Sequence, residues 1–363
     1  MPSHHFELAT QHDDPELRRL LRENPFAGSI SLSLEREPNY FLASNIEGAF
    51  HETLVVRDTK TNQLVGIGDR SVRPLYINGE IKDVGYFSGL RVDAKYQHGL
   101  ALARFLGKGW EGQREQHKDG RAKFYLMSIV SDNNPAKRLL DSKLPHYPRL
   151  HRHTHMCTYA IHPARPKKES KIKITRGNVD SIPAIVDCLT RNGMRHQFAP
   201  HWTEQTLLSP LTPDLSISNF FLAQSGSRIR GCLALWDQQT CKQTVVRGYS
   251  GNLARFRKII NLFTPLPEPG TRLNQCFACF LAVDDDDPEI FSALLRAVYN
   301  EAARMKYDYF LLGLTKDSPF HPIVKTYQPL TYESDIYLAA WDDGFDEIAR
   351  VDARPSTPEI ALL

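Results

Sequence analysis

The stretch IKDVGYFSGLRVDAKYQHGLALARFLGKGWEGQREQ, residues 81–116, decides how the rest of the chain is read. Residues 84–92 read as a strand that breaks into a turn at Tyr96-Gln97-His98-Gly99. A helix opens from Leu100, with Leu102, Phe105, Leu106, Gly109 and Trp110 on one face. Strand, glycine turn and helix in that order make an anion seat, because the first amides of a helix have no partners within it and the helix dipole adds partial positive charge. A phosphate is the expected occupant.

Upstream, Asn78-Gly79 is a strong hairpin signal that joins 71–77 to this strand. Residues 53–56 and 64–68 form a further antiparallel hairpin across the turn residues Asp58, Lys60 and Asn62, and 29–34 alternates at period two. Asp13-Asp14-Pro15 starts a helix that runs to about Glu23, with Leu17, Leu20 and Leu21 on one face. Downstream of the break at Lys118-Asp119-Gly120, the apolar run 124–130 has the character of a strand buried on both faces. Strand, helix and strand then imply a parallel right-handed crossover. Asn133-Asn134-Pro135 caps a short helix at 136–142, and a strand at 154–161 closes the half.

Residues 163–171 are polar, punctuated by proline and without apolar period, which is the composition of a linker. After them the plan repeats. A strand at 171–175 and a helix at 180–192 lead to a hairpin of 220–223 with 232–236. A strand at 275–283, a helix at 289–305 and a strand at 309–314 follow, and 309–341 mirrors 125–161. The chain therefore reads as an internal duplication of one α/β unit of α+β type: domains at 1–162 and 172–342, a linker at 163–171 and a tail at 343–363 lying outside both.

Composition narrows the function classes. With 363 residues, 41% hydrophobic and 24% charged, the chain is an ordinary two-domain globular protein, and a net charge of +3 argues against nucleic acid as a partner. No window approaches the roughly 20 apolar residues of a membrane helix. The polar start Met1-Pro2-Ser3-His4-His5 lacks the apolar core of a signal peptide, so the expectation is a cytoplasmic protein without a membrane partner. The six cysteines are scattered, and Cys276-Phe-Ala-Cys279 has no second pair at zinc-finger spacing, so they read as buried thiols. His151, His153 and His155 alternate along a strand, spaced about 6 to 7 Å apart, too far to surround one ion, and no metal is expected.

The order of elements resembles the GNAT superfamily of N-acetyltransferases, duplicated in tandem. The resemblance covers nearly all of 5–161 and, more loosely, 171–341. It implies a mixed, mostly antiparallel central sheet in each half, flanked by helices, with one parallel strand pair splayed apart. In that family the fourth strand feeds a loop of pattern Q/R-x-x-G-x-G/A whose amides hold the coenzyme A pyrophosphate. Leu90, Arg91 and Val92, followed by Tyr96, Gln97, His98, Gly99, Leu100 and Ala101, resemble this run. If Gly99 and Ala101 take the two small positions, Tyr96 stands where Gln or Arg belongs; if Gln97 keeps its place, Leu100 and Leu102 replace the small residues. Asn133-Asn134-Pro135-Ala136-Lys137-Arg138-Leu139-Leu140 resembles the family's N-x-x-A-x-x-L-Y, which places Asn133 and Ala136 beside the pantetheine arm.

What the resemblance implies is an N-acyltransferase that moves an acyl group from acetyl-CoA directly to a small-molecule or peptide amine. Backbone amides of residues 90–92 would face the thioester. The family's thiolate-protonating tyrosine falls at Leu140, which leaves Tyr147 as the nearest substitute. An acidic base carried by some members falls near Tyr86, with Ser88 as a weaker polar candidate beside a bulge at Gly89. In the second half the corresponding loop reads Asp284-Asp285-Asp286-Asp287-Pro288, four carboxylates that complement the helix dipole themselves and would repel a pyrophosphate. That half is expected to shape the acceptor pocket, to form a homodimer or to support the first. The competing reading is a non-catalytic acyl-CoA-binding or structural protein.

Overall fold

The computed structural model describes residues 4–363 apart from 27, 29, 97–98, 141–145, 210–211, 252–253, 256 and 258–265; at 99–101, 103–104, 135 and 139–140 it describes the backbone alone. The first half supplies β1 (His4–Leu8), α1 (Asp14–Glu23), β2 (Ile30–Glu35), α2 (Ser44–Glu47), β3 (Phe50–Asp58), β4 (Leu64–Ile77), β5 (Glu80–Val92), α3 (Gly99–His117), β6 (Tyr125–Val130), α4 (Asn134–Leu140) and β7 (Arg149–Ile161). The second supplies β8 (Ile174–Arg176), α5 (Ile182–Gly193), β9 (Phe220–Ser225), β10 (Arg228–Trp236), β11 (Gln243–Tyr249), β12 (Gln275–Val283), α6 (Pro288–Arg304), β13 (Tyr309–Thr315) and β14 (Leu330–Ala340). The residues read as two strands at 64–68 and 71–77 form the single strand β4. Its turn to β5 has Asn78 at φ 55° and Gly79 at φ 84°, the two left-handed positions that favour Asn-Gly.

The duplication is visible in the strand order. Among the described residues, one mixed, mostly antiparallel sheet of twelve strands runs β1-β3-β4-β5-β6-β14-β7-β13-β12-β10-β9-β8, and β2 pairs with β11 in a second, two-stranded sheet. Read from either end, each strand of one half meets its counterpart of the other, with the axis of pseudosymmetry between β14 and β7. The closing strands are exchanged: β14 pairs with β6 of the first half, β7 pairs with β13 of the second, and β7 and β14 pair with each other from Leu330↔Ala160 to Ala340↔Arg149. Each half therefore lacks its own closing strand.

Residues 1–162 expressed alone would leave β6 with an unpaired edge, an aggregation template. The expected outcome is an insoluble or misassembled fragment, whereas full-length chain nicked within 163–171 elutes as one particle in size-exclusion chromatography.

Helices cover both faces of the sheet. Phe105, Leu106 and Trp110 of α3 pack on Phe87, Tyr125 and Val65, and Leu17, Leu20 and Leu21 of α1 pack on Ile67 from the opposite side. The tail, read as lying outside both halves, is packed against both. Ala361 and Leu362 are buried, and Thr357 and Ser356 bond to Gln197 and Thr315. Burial of this short apolar end outweighs its proline-rich approach.

Candidate functional site

The parallel ladder between β5 and β6 lasts for three pairs, Gly85↔Tyr125, Tyr86↔Leu126 and Phe87↔Met127, and then stops. On the other edge of β5, Ser88 pairs with Asp69 and Arg91 with Ile67, so Gly89 and Leu90 together face Gly68 alone. This is a β-bulge, which bends the strand away from β6. Gly89 has φ +65°, and a Cβ there would lie 2.3 Å from Asp69 Oδ2, so both conformation and space require glycine. Beyond the bulge the chain makes a 3-10 turn at Ala94–Tyr96 and enters α3 at Gly99. The Tyr96 hydroxyl donates to Asp58 Oδ2 at 2.7 Å, tying the turn to β3; this bond, with burial, pushes Tyr96 up to about 12.

The second half repeats the device. β12 and β13 pair in parallel at Gln275↔Tyr309, Cys276↔Phe310 and Phe277↔Leu311 only, and Phe280 and Leu281 bulge opposite Leu233. Phe280 has φ +58°, matching Gly89. Its amide donates to Glu359 Oε2 of the tail at 2.8 Å. In the following turn, Asp287 caps α6 by accepting from the amides of Glu289 and Ile290, and Asp284 is paired with Arg191 at 3.0 Å and Arg228 at 3.1 Å. Carboxylates of the chain thus fill both the bulge and the helix start.

Under the first bulge, on the α1 and α2 side of the sheet, lies a buried ionic cluster. Ser88 Oγ donates to Glu47 Oε2 at 3.0 Å, and Arg36 pairs with Glu47 and, at 3.1 Å, with Asp69. Asp69 accepts further bonds from the Tyr40 hydroxyl at 2.7 Å and Thr53 Oγ1 at 2.6 Å. His51 Nε2 stands 3.6 Å from Glu47 and 3.7 Å from Asp69. Glu47, His51 and Asp69 are close enough to hold a cation, and the Arg36 guanidinium already occupies that role. Burial alone would raise the Glu47 carboxyl, but Arg36, Lys242 and His51 more than offset it and hold it below the usual carboxylate range.

Glu47 also lines a small cavity between the halves, of about 20 Å³, together with Arg73, Tyr86, Phe198, Glu359 and Leu363. A cavity of this size has room for about one water. Arg73 donates to the backbone oxygens of Glu47, at 3.0 Å, and Ile46. Burial pushes the Glu359 carboxyl up to about 7, against the stabilising bond from the Phe280 amide, and pushes the Tyr86 hydroxyl well above its ordinary value. Two carboxyls shifted in opposite directions thus face the same space, the arrangement by which a site separates acid and base roles.

No family profile matches the chain, and no curated protein matches it in sequence. Among solved structures, N-myristoyltransferase of Saccharomyces cerevisiae with bound myristoyl-CoA superposes with a TM-score of 0.61 at 14% identity, covering 92% of this chain and 82% of that one. A structure of the same yeast enzyme with myristoyl-CoA and inhibitors gives 0.62 at 12% identity, over 93% and 80% of the two chains. A GCN5-related N-acetyltransferase from Sphaerobacter thermophilus gives 0.57 at 12% identity, over 92% and 95%.

The chain has the GNAT fold, in tandem.

Within the GNAT frame the site residues read from the sequence separate into three groups. Ser88, Gly89, Leu90 and Arg91 lie at the bulge, with Leu90 exposed and the Arg91 guanidinium stacked 3.9 Å over Phe26; Val92 turns its side chain into the core under α3. Gln97 and His98 lie outside the described residues. Gly99, Leu100 and Ala101 form the first turn of α3. Asn133 accepts from the Ala136 amide at 3.2 Å and so caps α4, which places both residues at the helix start. Tyr86 and Tyr147 lie on opposite faces of the sheet. Tyr86 is at the cavity; Tyr147 packs against Trp110 under α3, its hydroxyl without a hydrogen-bond partner among the described residues and pushed up to about 12 by burial.

Two carboxylates at the site were not legible. The sequence places no acid at the strand position of Tyr86, yet Glu47 reaches Ser88 from α2 and Glu359 reaches the cavity from the tail. Glu47 ends a four-residue helix, too short for periodicity, and Glu359 stands in a segment that reads as surface.

Proposed function

We propose that this protein is an N-acyltransferase in which the first half binds acetyl-CoA along the splay between β5 and β6 and transfers the acyl group to an amine presented at the cavity between the halves. The observation that carries the reading is the repeated bulge. In the second half the positive-φ residue Phe280 donates its amide to a carboxyl oxygen of Glu359, so the bulge amide is turned out of the ladder and holds an acceptor oxygen. The corresponding amide in the first half is that of Gly89, and the oxygen offered to it is the thioester carbonyl, which gains negative charge as the amine attacks. Similarity to an enzyme with bound myristoyl-CoA and to a GCN5-related N-acetyltransferase supports the same class of donor. Homodimer formation remains one proposed role of the second half, alongside shaping the acceptor pocket.

In the step itself the neutral amine nitrogen bonds to the thioester carbon, the carbon–sulfur bond breaks, and the nitrogen loses one proton. Glu359 is the proposed acceptor of that proton, through the single water the cavity admits. Glu47 and Ser88 orient the near side of the bulge. Tyr86 walls the cavity, and Tyr147 is the group proposed to return a proton to the departing thiolate. Gly99, Leu100 and Ala101 would meet the pyrophosphate with helix-start amides, flanked by Gln97 and His98, while Asn133 and Ala136 set the start of α4 beside the pantetheine arm.

Release of coenzyme A thiol from acetyl-CoA with a panel of primary amines and peptides tests the reading. Because the folded protein raises Glu359 to about 7, its base form appears as pH rises through about 7, and amine-dependent release should rise over that range. Stability runs the other way: a carboxyl raised on folding contributes stability that is present below the usual Glu range and lost as pH climbs through about 7, at up to roughly 1.4 kcal/mol per pH unit. Glu359→Gln keeps an acceptor for the Phe280 amide and should flatten both profiles. Amine-independent thiol release across the whole panel would overturn the transferase reading.

A further inference from the structure

The exchanged strands carry a second cluster of metal-ligating side chains, on the ribbon where β7 and β14 meet. His155 and Cys157 are two residues apart on β7 and share a face, and directly opposite them on β14 stand Asp335 and Glu333. Cross-strand partners in an antiparallel pair bring Cβ atoms within about 5 Å, so the four form a compact block. The ligand atoms of His155, Cys157 and Glu333 all lie within 4.8 Å of one another. The histidines at 151, 153 and 155 do not converge: the ladder slips between Thr154 and Arg152, and His153 bonds instead to Ser356 Oγ at 2.7 Å and packs on Phe198.

His155 is oriented by what lies behind it. Its Nδ1 is 3.1 Å from Asp335 Oδ1, and Asp335 is buried and held by Arg152 at 2.6 Å and by Lys137. With both cations paired to it, the Asp335 carboxylate is the acceptor that faces His155 Nδ1. With the proton on Nδ1, Nε2 is the open nitrogen, 3.5 Å from a Glu333 carboxylate oxygen and within 4.8 Å of the half-buried Cys157 thiol. Carboxylate, imidazole and open nitrogen in line is the outer-shell arrangement that fixes the tautomer of a metal-ligating histidine and raises its basicity. Burial, with the Glu333 carboxylate beside it, pushes the Cys157 thiol up; Tyr159 and Lys325, which also face it, oppose this only in part.

We propose that His155 Nε2, Cys157 Sγ and a Glu333 oxygen form a binding site for a borderline-soft divalent cation of the zinc type, leaving a fourth position for water. Nitrogen, sulfur and oxygen donors in this number suit tetrahedral Zn²⁺ or Co²⁺, and the hard cations Mg²⁺ and Ca²⁺ are disfavoured by the thiolate. The cation would clip the closing strand of one half to that of the other, independently of the acyl-transfer site. Binding deprotonates the thiol and releases that proton to solvent.

Co²⁺ titrated into metal-free full-length protein tests the site. The expected result is saturation at one equivalent with a near-ultraviolet thiolate-to-cobalt charge-transfer band. Cys157→Ser should lose that band while retaining the wild-type circular dichroism. Glu333→Gln, at an exposed position that folding tolerates, should keep the band and weaken Co²⁺ binding at least tenfold. A wild-type protein without the band at millimolar Co²⁺, a band that persists in Cys157→Ser, or unchanged affinity in Glu333→Gln would each overturn the assignment.

Discussion

Replacing Gly89 with alanine is expected to destabilise the protein by about 3 kcal/mol and to reduce acyl transfer at least tenfold. Two effects add. A non-glycine residue at φ +65° costs about 1–2 kcal/mol in backbone energy. The new Cβ would also meet Asp69 Oδ2 at 2.3 Å, and Asp69 is not a free surface side chain that can swing aside. It is fully buried and accepts from Tyr40, Thr53 and Arg36, so a shift by the carboxylate weakens bonds to a charged group worth about 1.5–3 kcal/mol each. The bulge amide moves with the strain, and so does the oxygen it would hold. Urea denaturation and thiol-release kinetics on the variant check the two parts separately. A variant with the wild-type midpoint and full turnover would remove the bulge from the account.

Glu47→Gln should cost about 3–5 kcal/mol, the penalty for breaking a buried ion pair from one side, because Arg36 would then share only Asp69. Glu47 is 3% exposed and Arg36 7%, so water cannot supply the missing counter-charge. The double variant Glu47→Gln with Arg36→Met should recover little of that loss, since it removes the Glu47–Arg36 pair together but leaves buried Asp69 without its guanidinium. Urea midpoints for the two single variants and the double close the cycle. A single-variant cost below about 0.5 kcal/mol would mean that the pair is solvated and plays no part in holding α2 against Ser88.

The elements that were legible in the sequence are those whose signal is local. The apolar period of α3, the continuous run of β6, and Asn78-Gly79 with its two left-handed residues each state their structure within a few positions, and they suffice for the GNAT pattern. The anion seat is legible for the same reason in its negative form: Asp284–Asp287 followed by Pro288 occupies the start of α6, as the charges dictate. The exchange of β7 and β14 is not local. Both strands have the same pattern and the same neighbours in sequence, and only the packing of the whole sheet decides which half each one closes. The strand Gln243–Tyr249, absent from the reading, likewise exists through its pairing with β2 across more than 200 residues of chain. Glu47 and Glu359 escape notice because their importance lies in burial, and neither the short stretch around α2 nor the proline-spaced tail announces burial in its composition.

The measurement that bears most directly on the central claim is isothermal titration of acetyl-CoA and of a long-chain acyl-CoA into the full-length protein and into Gly99→Asp. One site per chain is predicted for at least one donor, since the second half has its own carboxylates at both the bulge and the helix start. Gly99→Asp, which places a carboxylate at the first turn of α3, should abolish that binding. No binding of either donor, two equivalent sites per chain, or undiminished affinity in Gly99→Asp would contradict the assignment of the acyl-CoA site to the splay between β5 and β6.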